Sequence, residues 1–177
     1  MQRYANYLMR TLRHSWLRSQ GASIGKDVKT YGKFFEGDPK ALTIGDKTRI
    51  SRGTTLVAPH IDAELKIGER CFINRNVTID CHSGIEIGDE VAIGPGVYIG
   101  DFDHSKPHLG DGGMYGARLP VKIGSNSWIG ANVCILKGVI IGKRVAVGAG
   151  SVVTNSLANN EVAVGVPARP VKHETGL

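Results

Sequence analysis

No stretch of the 177 residues is apolar for the twenty or so positions that a membrane-spanning helix needs. The basic first residues also lack the unbroken apolar core of a secretory signal, so the expected location is the cytoplasm. Cysteine is scarce. Cys71, Cys81 and Cys134 are odd in number and form neither a CxxC pair nor a zinc-type spacing, which argues against a disulfide framework and for reduced thiols. Aromatics make up only 6% of the chain and are not interleaved with basic residues, and no finger spacing occurs. The formal charge of +6 therefore does not signal nucleic acid. Much of the excess is local, because Arg3, Arg10, Arg13 and Arg18 fall in the first twenty residues. A small polyanion or an anionic membrane surface is the better match. No Walker-type phosphate loop is present.

What the chain does have is a period. Aliphatic residues recur every six positions: Ile44, Ile50, Leu56; Ile67, Ile73, Ile79, Ile85; Ile87, Ile93, Ile99; and Ile123, Ile129, Ile135, Ile141, Val147, Val153. That spacing is the hexapeptide signature of a parallel β-helix, a triangular coil of three short strands with one aliphatic side chain pointing inward per side. Each coil buries its apolar faces only by stacking on its neighbours. Glycine follows the aliphatic residue repeatedly, as in Ile44-Gly45, Ile67-Gly68 and Ile87-Gly88, and the expected reason is the tight turn there. Between such pairs the coils advance by 18 to 23 residues, except for one step of 36 from Ile87 to Ile123. The excess falls in residues 101–119, where a polar loop should leave the coil.

The first twenty residues differ in kind. Leu8, Leu12 and Trp16 are spaced by four with arginines around them, which predicts one amphipathic helix. Such a helix either packs against the first coil, the preferred reading, or lies on a membrane. The expected organisation is thus an N-terminal helix over 1–20, a β-helix over 21–158 and a loop-like tail over 159–177.

From about Ile24 to Lys172 the sequence resembles hexapeptide-repeat acetyltransferases of the maltose, galactoside and polysaccharide O-acetyltransferase group. The resemblance rests on FINRNVTID (72–80), EIGDEVAIGPGVYIGDFDHS (86–105), SWIGANVCILKGVIIG (127–142) and VGAGSVVTNS followed by GVPARPVK. It implies an all-β, left-handed parallel β-helix that assembles as a homotrimer, with acetyl-CoA as acyl donor, no metal, and active sites in clefts between subunits. It also implies that His104 is the catalytic base, Ala131 an oxyanion donor through its backbone N–H, and Trp128 a companion of the imidazole. Asn74, Asp80 and Asp103 fall at acceptor-side positions. Ala131, Ala149, Thr154, Asn155, Arg169 and Lys172 fall along the CoA path, Asn155 standing where many relatives carry lysine. The implied acceptor is a small molecule or glycan hydroxyl. Chemistry agrees for His104, since a sugar hydroxyl attacks poorly until a base active near neutral pH takes its proton.

Each of these residues has a plainer reading: a solvated loop histidine, a packing tryptophan, an asparagine completing a corner, a solvated tail arginine. Asp101 and Asp103 are equal candidates for orienting the imidazole or for capping a turn. N-acylation of an amino sugar and a xenobiotic acceptor remain open within the resemblance. Two rivals lie outside it. His60, His82 and His104 recur at intervals of 22, with His108 four residues on, and such a column could suit a γ-carbonic-anhydrase-like metal site. A non-catalytic β-helix scaffold is the other.

Overall fold

The computed structural model describes residues 2–103 and 116–171, with side chains from residue 8 onward. After the helix Gln2–Ser19 the chain winds into a parallel β-helix with three sheets. The first stacks Ser23–Ile24, Leu42–Ile44, Glu64–Ile67, Gly84–Ile87, Val121–Ile123 and Ile140–Ile141. The second stacks Lys29–Thr30, Arg49–Ile50, Phe72–Ile73, Ala92–Ile93, Trp128–Ile129, Ala146–Val147 and Val162–Gly165. The third stacks Phe35–Gly37, Thr55–Ala58, Thr78–Asp80, Tyr98–Gly100, Cys134–Ile135 and Val152–Val153. Registered partners such as Ile44↔Ile67, Ile93↔Ile129 and Ile99↔Ile135 show that the six-residue period marks one inward position per face. Ile50, Ile73, Ile79, Ile99, Ile129 and Ile135 are fully buried in the resulting column, each contributing on the order of 1.5–3 kcal/mol.

The glycines after the inward residues work differently from expectation. Gly45 and Gly68 are not at positive φ; a Cβ on Gly45 would sit 2.5 Å from the Glu69 nitrogen, and one on Gly68 2.6 Å from the Gly88 carbonyl carbon. They permit close approach of the next coil. The left-handed position of this corner comes two residues later and is held by Lys47, Arg70, Glu90, Asn126 and Arg144, at φ of 54–62°. Packing of the coil offsets the unfavourable backbone there.

The tail after Val153 is more regular than a loop. Leu157 bridges Ile141, Val162–Gly165 adds a strand to the second sheet, and Ala168–Pro170 pairs with it in antiparallel fashion.

The helix docks by its polar side. His14 Nε2 lies 2.9 Å from Thr30 Oγ1, Arg18 donates to the Ile24 carbonyl at 2.8 and 3.0 Å, and Leu17 is buried. Leu8, Leu12 and Trp16, the stripe expected against the coil, are instead 56–58% exposed. The amphipathic pattern defines two faces, and the buried hydrogen bonds of His14 and Arg18 decide which one faces the coil.

Burial, aided by Arg18, Arg10 and Arg13, holds the His14 pKa down to about 4. The undocked chain takes up this proton near pH 6.5, the docked one only near pH 4. His14 therefore favours docking above pH 6.5, and that contribution is lost as pH falls towards 4. Hydrogen exchange of the helix amides should accelerate across that window before the coils open. His14→Gln should flatten the dependence; an unchanged pH profile in that variant would assign the acid response elsewhere.

Candidate active site

The insertion departs where the period breaks, and its two ends are zipped together. Phe102 bridges Arg118 in antiparallel sense, Gly116 N–H donates to the Asp103 carbonyl at 2.6 Å, and Leu119 N–H donates to the Asp101 carbonyl at 2.8 Å. Asp101 is fully buried, and its carboxylate accepts from the backbone N–H groups of His82, Ser83 and Gly84 at 2.6–2.7 Å. Of the two roles open to Asp101, capping is the one the structure displays. It clamps the preceding coil's corner at the point where the loop begins. Asp103, more exposed, forms an ion pair with Lys137. His104 is the next residue; it lies outside the described residues, as do His108 and Lys172.

Of the histidine column, His60 and His82 are described, and they meet. His60 Nε2 and His82 Nδ1 are 3.1 Å apart, and His82 Nε2 is 3.0 Å from Asp80 Oδ1. The His82 ring lies against Phe102 with centroids 3.8 Å apart and planes tilted by 34°. The two imidazoles are directed at one another and at a carboxylate, and among the described residues no three His, Cys, Asp or Glu side chains gather around a common point. Asp80, expected on the acceptor side, is thus engaged by a buried histidine. Sequence reasoning missed Tyr98 at this corner. Burial first, then the nearby Asp80, Cys134, Asp101 and Asp103, pushes its phenol pKa up.

Asn74, Ala131 and Ala149 occupy a different corner, between the second and third sheets. Asn74 N–H donates to the Ile93 carbonyl, Gly94 N–H to Ile129 and Gly130 N–H to Val147, which stacks their corners in one column. In this column the Arg75 N–H is capped by the Asn74 side chain at 2.8 Å, and Pro95 has no N–H. The Ala131 and Ala149 N–H groups have no acceptor among the described residues. Ladder spacing puts Asn74 roughly 10 Å from Gly130, two coils on. Trp128 stands beside the column, in register with Ala92 and Ala146 and 55% exposed. Arg169 lies exposed on the tail's antiparallel strand and donates to the Ala168 carbonyl. Thr154 and Asn155 are hydrogen-bonded to each other after the last strand of the third sheet, on its other edge.

One chain therefore does not bring the predicted residues into one pocket. The loop stem rises from one edge of the third sheet and the Ala131 column runs along the opposite edge. They are separated by a strand of about five residues, roughly 15 Å.

The pattern of coils and corners has known counterparts. Residues 64–101 match the family model described as hexapeptide repeat of succinyl-transferase, and residues 120–155 the bacterial transferase hexapeptide (six repeats). The galactoside O-acetyltransferase of Lactococcus lactis is 34% identical, over 80% of this chain and 84% of its own. That of Escherichia coli is 39% identical over 62% of this chain and 54% of its own. Among solved structures, the N-acyltransferase AntD from Bacillus cereus, in complex with dTDP and 3-hydroxybutyryl-CoA, superposes with a TM-score of 0.75 at 27% identity, covering 90% of this chain and 87% of that one. The chain belongs to the hexapeptide-repeat acetyltransferase family. It spans about half the length of several curated relatives it matches.

The capping role of Asp101 has a direct check. Asp101→Ala leaves three N–H donors, one buried and two part-buried, without a charged acceptor and should cost about 3 kcal/mol or more in denaturant unfolding. Asp103→Ala removes one exposed ion pair and should cost about 1 kcal/mol or less. Equal losses would refute the assignment.

Proposed function

We propose that this protein transfers an acetyl group from acetyl-CoA to a hydroxyl of a sugar-like acceptor in a homotrimer, with His104 as general base. The observation that carries this reading is the zipped stem, which fixes the backbone up to Asp103, the residue next to His104. Family membership and the named activities of its relatives supply the reaction class.

The chemistry follows from the groups present. The neutral imidazole takes the hydroxyl proton as the oxygen attacks the thioester carbonyl carbon. The carbonyl oxygen becomes an oxyanion, stabilised by the uncapped Ala131 N–H. Collapse breaks the carbon–sulfur bond, and the departing CoA thiolate recovers the proton from the imidazolium. Asn74 sits on the Ala131 column at a distance suited to a bound sugar. Because the stem that leads to His104 rises from the other edge of the sheet, in this reading His104 serves the column of a neighbouring subunit. Ala149 and the cationic Arg169 and Lys172 extend the path for CoA from this column, and Thr154 and Asn155 join it from the edge of the sheet that carries the stem.

A second reading has its own support, since AntD is an N-acyltransferase with a close overall superposition. Alkaline hydroxylamine, applied to the product separated from acetyl-CoA, distinguishes the two, because it cleaves an ester and spares an amide.

Three variants test the roles. His104→Ala should lower kcat about 10²–10⁴-fold with CoA binding intact; undiminished turnover would remove His104 as base. Ala131→Pro deletes only an N–H, in a corner whose predecessor already accommodates Pro95 after Gly94. It should fold normally and lose about 10²–10³ in kcat, and wild-type turnover would move the oxyanion donor elsewhere. Arg169→Ala should raise KM for acetyl-CoA far more than it lowers kcat, because a phosphate contact remote from the thioester binds ground and transition states alike. An unchanged KM would leave Arg169 a solvated tail residue.

A further inference from the structure

Where the helix crosses the first two coils, a cavity of about 560 Å³ is lined by Arg10, Arg13, Lys33 and Arg52 together with Met9 and Tyr31. Among the described residues no carboxylate lines it. Lys33 is paired with Glu36 outside the lining at 2.9 Å, and Arg13 donates to the Gly32 carbonyl. Arg13 and Arg52 bring forked guanidinium donors to this cavity beside Arg10 and Lys33, and such donors match phosphate oxygens.

The cavity adjoins an apolar surface. Met9 belongs to both, and with Leu8, Leu12 and Trp16 it forms one exposed helix face, 56–58% accessible at each residue. On a helix of 3.6 residues per turn these four fall within about 100° of arc, with Arg13 next around the circumference. Four large apolar side chains on one face, bordered by arginines whose stems can lie along it, form an interfacial pattern.

We propose that this helix face and its basic cavity dock the protein on an anionic lipid surface, with a lipid phosphate seated among Arg10, Arg13, Lys33 and Arg52. Charge selects lipid over a second copy of the chain. The first 26 residues contain no Asp or Glu, so a copy's helix brings only like charge. The coil carboxylates Glu64, Glu69, Glu86 and Glu90 are already paired with Lys66, Arg70 and Lys122. Docking also has a consequence for the acceptor that rests on the reading of Asn74 given above. Asn76 N–H donates to the Arg52 carbonyl, so the cavity lies one coil from the Asn74 corner. An acceptor at that corner is reached from the membrane side.

The test is binding of the full chain to vesicles, a readout that needs no turnover and so stands or falls separately from acetyl transfer. Phosphatidylcholine vesicles containing phosphatidic acid should sediment the protein, and plain phosphatidylcholine should not, with affinity falling as salt rises. Leu12→Glu with Trp16→Glu should abolish sedimentation at unchanged oligomeric mass. Arg52→Ala should weaken it about tenfold or more. Soluble inorganic phosphate should compete only weakly, because it lacks the hydrocarbon that the helix face covers. Equal binding to plain phosphatidylcholine, or no binding to either, overturns the proposal. So does a fall in oligomeric mass in the Leu12→Glu, Trp16→Glu variant, which would assign the face to contact between subunits.

Discussion

Every feature of this molecule depends on coil-to-coil register. The backbone of each coil is hydrogen-bonded to the next through three faces, and the corners approach so closely that a single Cβ at Gly45 or Gly68 would collide with the following coil. A chain under that constraint can carry an insertion only if it leaves and returns in step. Ile85↔Val121 and Ile87↔Ile123 pair directly across 36 residues, so the register resumes as though nothing intervened. The buried Asp101 carboxylate and the antiparallel stem close the gap, and the loop that carries His104 starts from a fixed point.

The same regularity separates functions in space. A repeating corner offers a column of backbone groups, and in one column the donors change from capped at Arg75, through absent at Pro95, to uncapped at Ala131 and Ala149. The stem rises from the other edge of the third sheet. A chemistry that needs both edges draws on two subunits, which is the physical case for assembly in the reading proposed above. The N-terminal end carries the remaining asymmetry, a helix anchored by His14 and Arg18 that turns its apolar side outward.

The fold was legible because one inward side chain per six residues survives as a periodic signal, and the insertion was legible as the one place where it fails. Other features left weaker traces. The glycines of the Ile-Gly pairs suggested turns, whereas their role is contact with the next coil; the true left-handed positions carry Lys47, Arg70, Glu90 and Arg144, residue types that give no hint of such a backbone. Leu8, Leu12 and Trp16 revealed an apolar face without its direction, since direction is set by Thr30 and the Ile24 carbonyl, contacts distant from the helix in pattern. The 22-residue interval correctly brought His60 and His82 together, and its third member, His104, lies outside the described residues. The proposed site residues came only one by one, through family resemblance; that the described ones fall on two edges of the third sheet is a property of the coil geometry.

The most direct measurement of that division is complementation in mixed trimers. Chains carrying His104→Ala and chains carrying Ala131→Pro are unfolded together in equal amounts and reassembled, then assayed for thiol release from acetyl-CoA with an active acceptor. If each site joins the histidine of one subunit to the Ala131 column of the next, about one quarter of the sites pair two intact halves, and activity returns to about a quarter of wild type. If both groups act within one chain, no mixed trimer holds an intact site and the activity stays at the level of the parent variants, which would contradict the account.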